Sequence, residues 1–149
     1  MPALLSDRLA RVAHRSTLRL THYGRVTGKP YQVTVWFAVD GDSIYLTTMN
    51  RRRQWVRNAM KTPRVQLRIG LETVDGTVAQ VTELPEKRHV YALLTRKYWV
   101  MWLLDRLAAL VGQNTRRGAM DLGRGGFFRV QAAPGRAERL FATLAESPV

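Results

Sequence analysis

One stretch of the sequence restricts the fold more than any other: YQVTVWFAV at residues 31–39, followed by DGD and then by SIYLTT at 43–48. The first segment is rich in β-branched and aromatic residues, which are typical of strands. Asp-Gly between two apolar runs is a strong signal for a hairpin turn. We therefore predict two antiparallel strands joined by a turn at 40–42.

The other segments extend this hairpin into a larger sheet with inserted helices. Alternating apolar and polar residues predict further strands at 18–23, 64–69, 76–84 and 127–131. Turn or loop residues occupy 24–30 and 112–126, and helical spacing predicts helices at 3–14, 53–60, 85–111 and 135–146. Short antiparallel strands lose their exposed edges when they close into a barrel. We predict a mainly β protein with added helices (α+β), in which about six antiparallel strands form a barrel within one domain over residues 1–149.

Three adjacent arginines follow the hairpin, in the stretch TTMNRRRQWVRN at residues 47–58. Like charges repel, so folding alone gives little reason to keep Arg51, Arg52 and Arg53 together. A helix that begins near Arg53 would direct its first N–H groups and its dipole toward an anion. Arginine also forms charge-assisted hydrogen bonds with phosphate and carboxylate. We predict an anion site that includes these arginines with Arg57, Thr47 and Thr48; a solvated basic loop is the alternative.

The turn GRVTGKP at residues 24–30 repeats the combination of hydroxyl and basic side chains, with Arg25, Thr27 and Lys29. Its two glycines allow the backbone to bend closely around an anion, although a simple tight turn uses the same residues. Both basic stretches flank the strand at 31–39. We therefore predict that they contribute to the same site.

The charge balance indicates what such a site would bind. The 149 residues include 24 Lys and Arg against 11 Asp and Glu, a formal net charge of +13. This surplus favours an anionic partner: nucleic acid, an anionic membrane, or a small ligand rich in phosphate and carboxylate. The sequence has no cysteine, and His14, His22 and His89 lie far apart, so we predict no metal site. An anion site without a recognisable nucleophile or acid–base pair indicates chemistry supplied by a cofactor.

The apolar segments do not predict a leader or a membrane span. Asp7 and Arg8 interrupt the apolar N-terminal residues. The most apolar run, at 98–111, contains Asp105 and Arg106 and is shorter than the roughly 20 residues that a spanning helix needs. We expect a cytoplasmic protein, and contact with a membrane surface is left open.

The motifs, taken in order, resemble the deazaflavin-dependent nitroreductase and quinone reductase family. The matching positions lie within residues 18–84: Thr21, Gly24, Arg25, Thr27, Gly28, Lys29 and Pro30, then Val35, Trp36 and Phe37, then Trp55, Asn58, Pro63 and Val65. The resemblance implies a split β-barrel related to the pyridoxamine phosphate oxidases. It also implies coenzyme F420, a deazaflavin that carries a phosphate and a polyglutamate tail and so matches the basic charge.

The same resemblance implies roles for individual residues. Residues Thr47, Thr48, Arg53, Gln54 and Trp55 would hold the deazaflavin and its phosphate, and Arg25 and Lys29 the tail. Aromatic residues would line the substrate side: Tyr91, Tyr98, Trp99 and Trp102. Of these we select Tyr98 as the catalytic candidate, although the spacing of 91, 98 and 102 also fits a buried helix face. Trp36 is expected in the barrel core.

The implied function is a two-electron reductase that transfers a hydride from reduced F420 to a small electron acceptor such as an enone, a quinone or a nitro compound. The proton donor is open, with His22 as one possibility. An FMN-binding split barrel is an alternative that leaves more of the basic charge unexplained. A non-catalytic basic barrel that binds a cofactor, nucleic acid or a membrane is another. We do not expect nucleic acid, because the aromatic residues are mostly flanked by aliphatic ones, as in a core. A homodimer is left open.

Overall fold

The computed structural model describes residues 4–111 and 126–133. The helices in this part are α1 (Leu5–Val12), α2 (Gln54–Lys61), α3 (Leu84–Lys97) and α4 (Trp99–Leu110). The strands are β1 (Leu18–Tyr23), β2 (Pro30–Asp40), β3 (Ser43–Thr48), β4 (Arg64–Ile69), β5 (Glu72–Gln80) and β6 (Gly126–Ala132). The predicted helix at 135–146 and the predicted loop up to residue 125 lie outside the described residues.

The strands form a closed antiparallel barrel in the order β1-β2-β3-β6-β5-β4. The predicted hairpin is present, with Asp40 paired to Ser43 across the turn. Gly41 in this turn has φ 58°, a left-handed conformation that glycine adopts without steric cost. β6 lies between β3 and β5, and β4 closes the barrel against β1. The prediction of a barrel with about six strands is confirmed.

Alternate side chains of the strands fill the interior of the barrel, as the two-residue period of a strand requires. Phe37, Leu46 and Phe128 are fully buried there. Helix α1 adds Leu9 to the same core, and α2 adds Trp55. This burial fixes α2 against the barrel, and it therefore also fixes the position of the polar groups at the start of that helix.

Helix α3 covers part of the outer face of the barrel, where Val90 and Leu94 pack with Tyr45 and Phe127. The prediction that Trp36 belongs to the barrel core was wrong. Since Phe37 points inward, its neighbour Trp36 must point outward. The Trp36 ring is half-buried and stacks on Tyr98, with ring centroids 5.1 Å apart.

The end of α3 also satisfies an open edge of the barrel. The pairing of β2 with β1 ends at Val35, while residues from Trp36 onward pair with β3. The backbone of Phe37 therefore has groups on the side that β1 does not reach. The Tyr98 hydroxyl accepts a hydrogen bond from the Phe37 N–H at 3.3 Å, and Lys97 Nζ donates to the Phe37 carbonyl at 2.9 Å.

Strand β5 begins at Glu72 and ends at Gln80, so the predicted limits of 76 and 84 were wrong. Asp75 and Gly76 are turn-forming residues, and they concealed the first half of the strand. Gly76 is needed for a different reason: a Cβ atom there would lie 2.6 Å from the Gln131 carbonyl oxygen of β6. Close approach of two strands, and not a turn, explains this glycine.

The helical region predicted at 85–111 is two helices. The helical conformation ends at Tyr98 (φ −107°, ψ 30°), the residue that contacts β2. Helix α4 leaves several apolar side chains exposed, among them Trp99, Leu104 and Leu107. Within residues 4–111 and 126–133, no helix is long and apolar enough to span a bilayer.

Candidate functional site

A cavity of about 660 Å³ lies where the β1–β2 hairpin meets the start of α2. It has contributions from the end of β1, the hairpin loop, the first part of β2 and the first turns of α2. The lining residues are His22, Gly24, Arg25, Val26, Thr27, Tyr31, Gln32, Val33, Arg53, Gln54, Trp55 and Asn58. The two basic stretches that the sequence analysis singled out therefore meet at one cavity.

The hairpin loop is shaped by its own backbone. Gly24 N–H donates to the Lys29 carbonyl at 2.9 Å, and Gly28 N–H donates to the Gly24 carbonyl at 2.9 Å. Gly28 has φ 72°, in the left-handed region that favours glycine. A side chain at Gly24 would come within 2.9 Å of the Thr27 hydroxyl oxygen. Both glycines of the predicted turn are thus required by its geometry, and the loop presents Arg25 and Thr27 to the cavity.

Arg25 is held in place by two side chains of α2. Its Nη1 lies 2.8 Å from Gln54 Oε1 and 2.8 Å from Asn58 Oδ1, and it donates to both. The backbone N–H of Arg25 also donates to Asn58 Oδ1, at 3.2 Å. The guanidinium carries five N–H donors in a rigid plane. Its Nε and Nη2 groups have no hydrogen-bond partner in the described part of the chain, so they are available to a ligand.

His22 and Asn58 form the buried wall of the cavity, with side chains that are both 4% exposed. Asn58 Nδ2 lies 3.0 Å from His22 Nδ1. The imidazole stacks on Tyr31, with ring centroids 5.8 Å apart. Burial lowers the pKa of His22 below its ordinary value, because the charged imidazolium is disfavoured away from water. Burial therefore favours the neutral form of His22.

The start of α2 adds positive potential to the cavity. Arg53 is the residue before the first turn, no side chain caps the helix there, and the first turn contains no acidic residue. The first N–H groups of a helix lack intrahelical partners and carry the positive end of its dipole. The cavity thus combines two arginines with a helix N-terminus.

The predicted site residues divide into two sets. Those that line the cavity are Arg25, Thr27, Arg53, Gln54 and Trp55; those that do not are Lys29, Thr47, Thr48, Arg51, Arg52 and Arg57. The Thr48 hydroxyl is used within its own loop, where it donates to the Asn50 carbonyl at 2.9 Å and accepts from the Asn50 N–H. The aliphatic part of Arg51 lies against Gly126.

Trp55 has a mainly structural environment. Its side chain is 3% exposed and packs edge-on against Phe128, with ring centroids 5.3 Å apart. It is part of the barrel core and forms a wall of the cavity at the same time.

The aromatic residues proposed for the substrate side do not line this cavity. The Tyr98 hydroxyl lies 2.6 Å from the Ser16 carbonyl oxygen and 3.1 Å from that of Phe37, and burial raises the pKa of Tyr98. Tyr91 and Trp99 are exposed, and for Tyr91 this is contrary to the buried helix face that the spacing of 91, 98 and 102 indicated. The side chain of Trp102 lies outside the described part.

Sequence reasoning gave no site role to Asn58 and Tyr31, and named His22 only as a conceivable proton donor. Asn58 belongs to the W-x-x-N pattern, which was the available signal for it. Nothing in the sequence indicates that His22 and Asn58, which are far apart along the chain, would form a hydrogen bond. Among the residues that the structure describes, no group of three or more His, Asp or Glu is placed to hold a metal ion.

A sequence model of the F420H(2)-dependent quinone reductase family matches residues 8–102, more than half of the chain. The chain belongs to this family. The matched range contains every residue that lines the cavity. The resemblance inferred from the motifs is confirmed. No curated protein sequence matches the chain.

Solved structures similar to this family member are split-barrel proteins. One is described as a candidate pyridoxamine 5′-phosphate oxidase from Listeria innocua, with a TM-score of 0.61 and 13% identity over 87% of this chain and 94% of that one. A haem storage protein from Vibrio cholerae has a TM-score of 0.61 and 17% identity, over 89% of this chain and 93% of that one. An FAD-binding protein from Mesorhizobium loti has a TM-score of 0.57 and 18% identity, over 89% of this chain and 91% of that one. At such identities the similarity shows the fold alone, which is pyridoxamine phosphate oxidase-like as predicted.

Proposed function

We propose that this chain binds coenzyme F420 in the cavity and transfers a hydride from its reduced form to a small electrophilic acceptor. The family is named for quinone reduction, so a quinone is the first acceptor to test, with enones and nitro compounds as alternatives. The observation that carries the proposal is that Arg25 of the hairpin and Arg53 of the α2 start line the same cavity.

The volume and the charge of the cavity support the binding of an anionic cofactor. Its volume of about 660 Å³ falls within the range of roughly 300–1,000 Å³ that ligand pockets have. Phosphate and carboxylate groups require donors and positive charge, and Arg25, Arg53 and the first N–H groups of α2 supply both. FMN carries a single phosphate and would use less of this surface.

The residues of the chain would bind and orient, while bound F420 supplies the hydride. Arg25 is preorganised, because Gln54 and Asn58 hold its guanidinium before a ligand arrives. Arg53 would add a second positive charge. Its position at the start of α2 is fixed, because the barrel core holds that helix in place. Apolar wall residues, Val33 and Trp55 among them, would keep water from one side of the ligand.

The decisive experiment is a pair of fluorescence titrations of the purified protein, with F420 and with FMN, at low and high salt. We expect F420 to bind with micromolar or tighter affinity that weakens as salt is added, because charged contacts are screened. An Arg53→Ala variant should lose about tenfold in F420 affinity, the loss of one charge-assisted hydrogen bond. Arg88→Ala removes a charge from the exposed surface of α3 and serves as the matched control.

The alternatives give different results in the same titrations. Binding of FMN without F420 would move the protein to the flavin branch of the fold. Binding of neither, together with a steep salt-dependent affinity for DNA, would favour a basic nucleic-acid-binding barrel. Equal losses in Arg53→Ala and Arg88→Ala would indicate general electrostatic attraction and would contradict a site at Arg53. Homodimerisation, cytoplasmic location and membrane contact stay predictions.

A further inference from the structure

His22 presents one ring nitrogen to the cavity. Its Nδ1 is occupied by Asn58, whereas Nε2 has no hydrogen-bond partner among the described residues. No fully buried side-chain nitrogen or oxygen in the described part lacks a partner, so Nε2 keeps some exposure. Because His22 lines the cavity and is otherwise enclosed, that exposure is toward the cavity.

The hydrogen bonds of Arg25 determine which nitrogen of His22 carries the proton. An arginine only donates, so the atom of Asn58 that faces Arg25 must be the carbonyl oxygen Oδ1. The amide nitrogen Nδ2 must then face His22 and donate to Nδ1. A neutral imidazole that accepts at Nδ1 carries its proton at Nε2. Arg25 and Asn58 therefore fix His22 as a donor into the cavity.

We propose that His22 is a specificity-determining residue, which donates a hydrogen bond from Nε2–H to a phosphate or carboxylate oxygen of the bound ligand. We expect the acceptor to be an anionic oxygen, because Arg25 and Arg53 line the same cavity and their positive charges attract anionic groups. The identity of the ligand as F420 rests on the proposed function, but the donor role of His22 rests on the hydrogen-bond network alone. If the ligand had a hydrogen-bond donor at this position, that donor would face the His22 N–H, and the ligand would bind more weakly.

The first test reads the tautomer by long-range ¹H–¹⁵N NMR of the full chain, with histidine resonances assigned through His14→Gln and His89→Gln. We expect the His22 proton on Nε2, and we expect inorganic phosphate to shift that resonance. In Asn58→Asp the side chain has only acceptors, so the proton should move to Nδ1. A proton on Nδ1 in the unmodified protein, or an Nε2 resonance that saturating phosphate leaves unchanged, would overturn the inference.

The second test measures F420 affinity in two variants of His22. In His22→Gln the amide nitrogen of glutamine occupies a position similar to Nε2 and still donates, whereas His22→Leu removes the donor. We expect His22→Leu to bind F420 about tenfold more weakly, and His22→Gln to stay within about threefold of the unmodified protein. Equal affinity in all three proteins, with thermal unfolding showing that each is folded, would overturn the proposal.

The two tests separate the failure of this inference from that of the proposed function. If F420 does not bind to the unmodified protein, the proposed cofactor is wrong, while the tautomer and the phosphate response still decide the role of His22. If F420 binds but His22→Leu has no effect, the cofactor assignment holds and His22 is a structural histidine.

Discussion

Two polar clusters of this barrel contain similar chemical groups but differ in what those groups contact. At the cavity, the cluster is His22, Arg25 and Asn58, and it leaves donors of His22 and Arg25 open to a ligand. At the end of α3, Lys97 and Tyr98 direct their donors to the backbone carbonyls of Phe37 and Ser16. We refer to this second pair as the α3 clamp.

The difference lies in what each cluster bonds to. The α3 clamp lies beside β2 beyond the end of its pairing with β1, and its donors satisfy backbone carbonyls there. The cavity cluster bonds mainly side chain to side chain, from Arg25 to Gln54 and Asn58 and from Asn58 to His22. The remaining donors of His22 and Arg25 have no partner among the described residues, so they can bind a ligand. The comparison teaches that a buried tyrosine or lysine indicates function only if the backbone around it does not need the hydrogen bonds.

The largest expected effect is that of Arg25→Ala on ligand binding. The variant removes a preorganised guanidinium, and we expect F420 affinity to fall about tenfold to a hundredfold, as for loss of a charged hydrogen-bond donor. The matched control is Arg64→Ala, which removes a nearby exposed arginine that stacks over Tyr23 without lining the cavity. Fluorescence titration measures both. A similar loss in both variants would mean that net charge, and not the cavity, determines affinity.

A smaller effect, on stability and not on binding, is expected for Tyr98→Phe. The variant leaves the ring and its stacking on Trp36 but removes the hydroxyl that bridges Ser16 and Phe37. We expect the free energy of unfolding to fall by about 1–2 kcal/mol, the cost of leaving these groups without a partner. F420 affinity and the rate of hydride transfer should stay within about twofold. A large loss of rate without loss of stability would instead identify Tyr98 as a catalytic residue, as the sequence analysis predicted.

Most of the fold could be predicted from the sequence because local patterns dominate in this barrel. The strand at 18–23 and the hairpin at 31–48 carry alternation and turn residues that determine their limits, and both are found where predicted. The errors arise where a distant contact determines the structure. Gly76 is a glycine because β6 approaches it, and α3 ends at Tyr98 at the point where it contacts β2.

The sequence predicted the chemistry of the candidate site better than it predicted which residues line the cavity. The glycines and arginines of the two basic stretches indicated that an anion site exists, and the structure brings Arg25 and Arg53 to one cavity. The sequence could not separate Arg53 from Arg51 and Arg52, because only the packing of α2 against the core determines which of them reaches the cavity. It also could not pair His22 with Asn58, since their hydrogen bond depends on how α2 lies across the end of β1.

The smallest expected effect is a dependence of stability on pH that arises from Lys97. Burial lowers its pKa to about 8 from an ordinary value of 10.5, although its Nζ also lies 3.5 Å from the centroid of the Phe37 ring. Between these two pH values the unfolded chain binds a proton that the folded chain does not, so the free energy of unfolding should rise with pH.

Comparison with Lys97→Met isolates this effect. The difference in unfolding free energy between the unmodified protein and the variant should grow in favour of the unmodified protein from pH 8 to 9.5, by about 1 kcal/mol or less because solvent screens a partly exposed ammonium. Urea unfolding at several pH values measures it. A difference that shrinks with pH would mean that the Phe37 ring and carbonyl stabilise the ammonium more than burial penalises it. The α3 clamp would then be held by charge as well as by hydrogen bonds, and it would differ less from the cavity cluster than the geometry indicates.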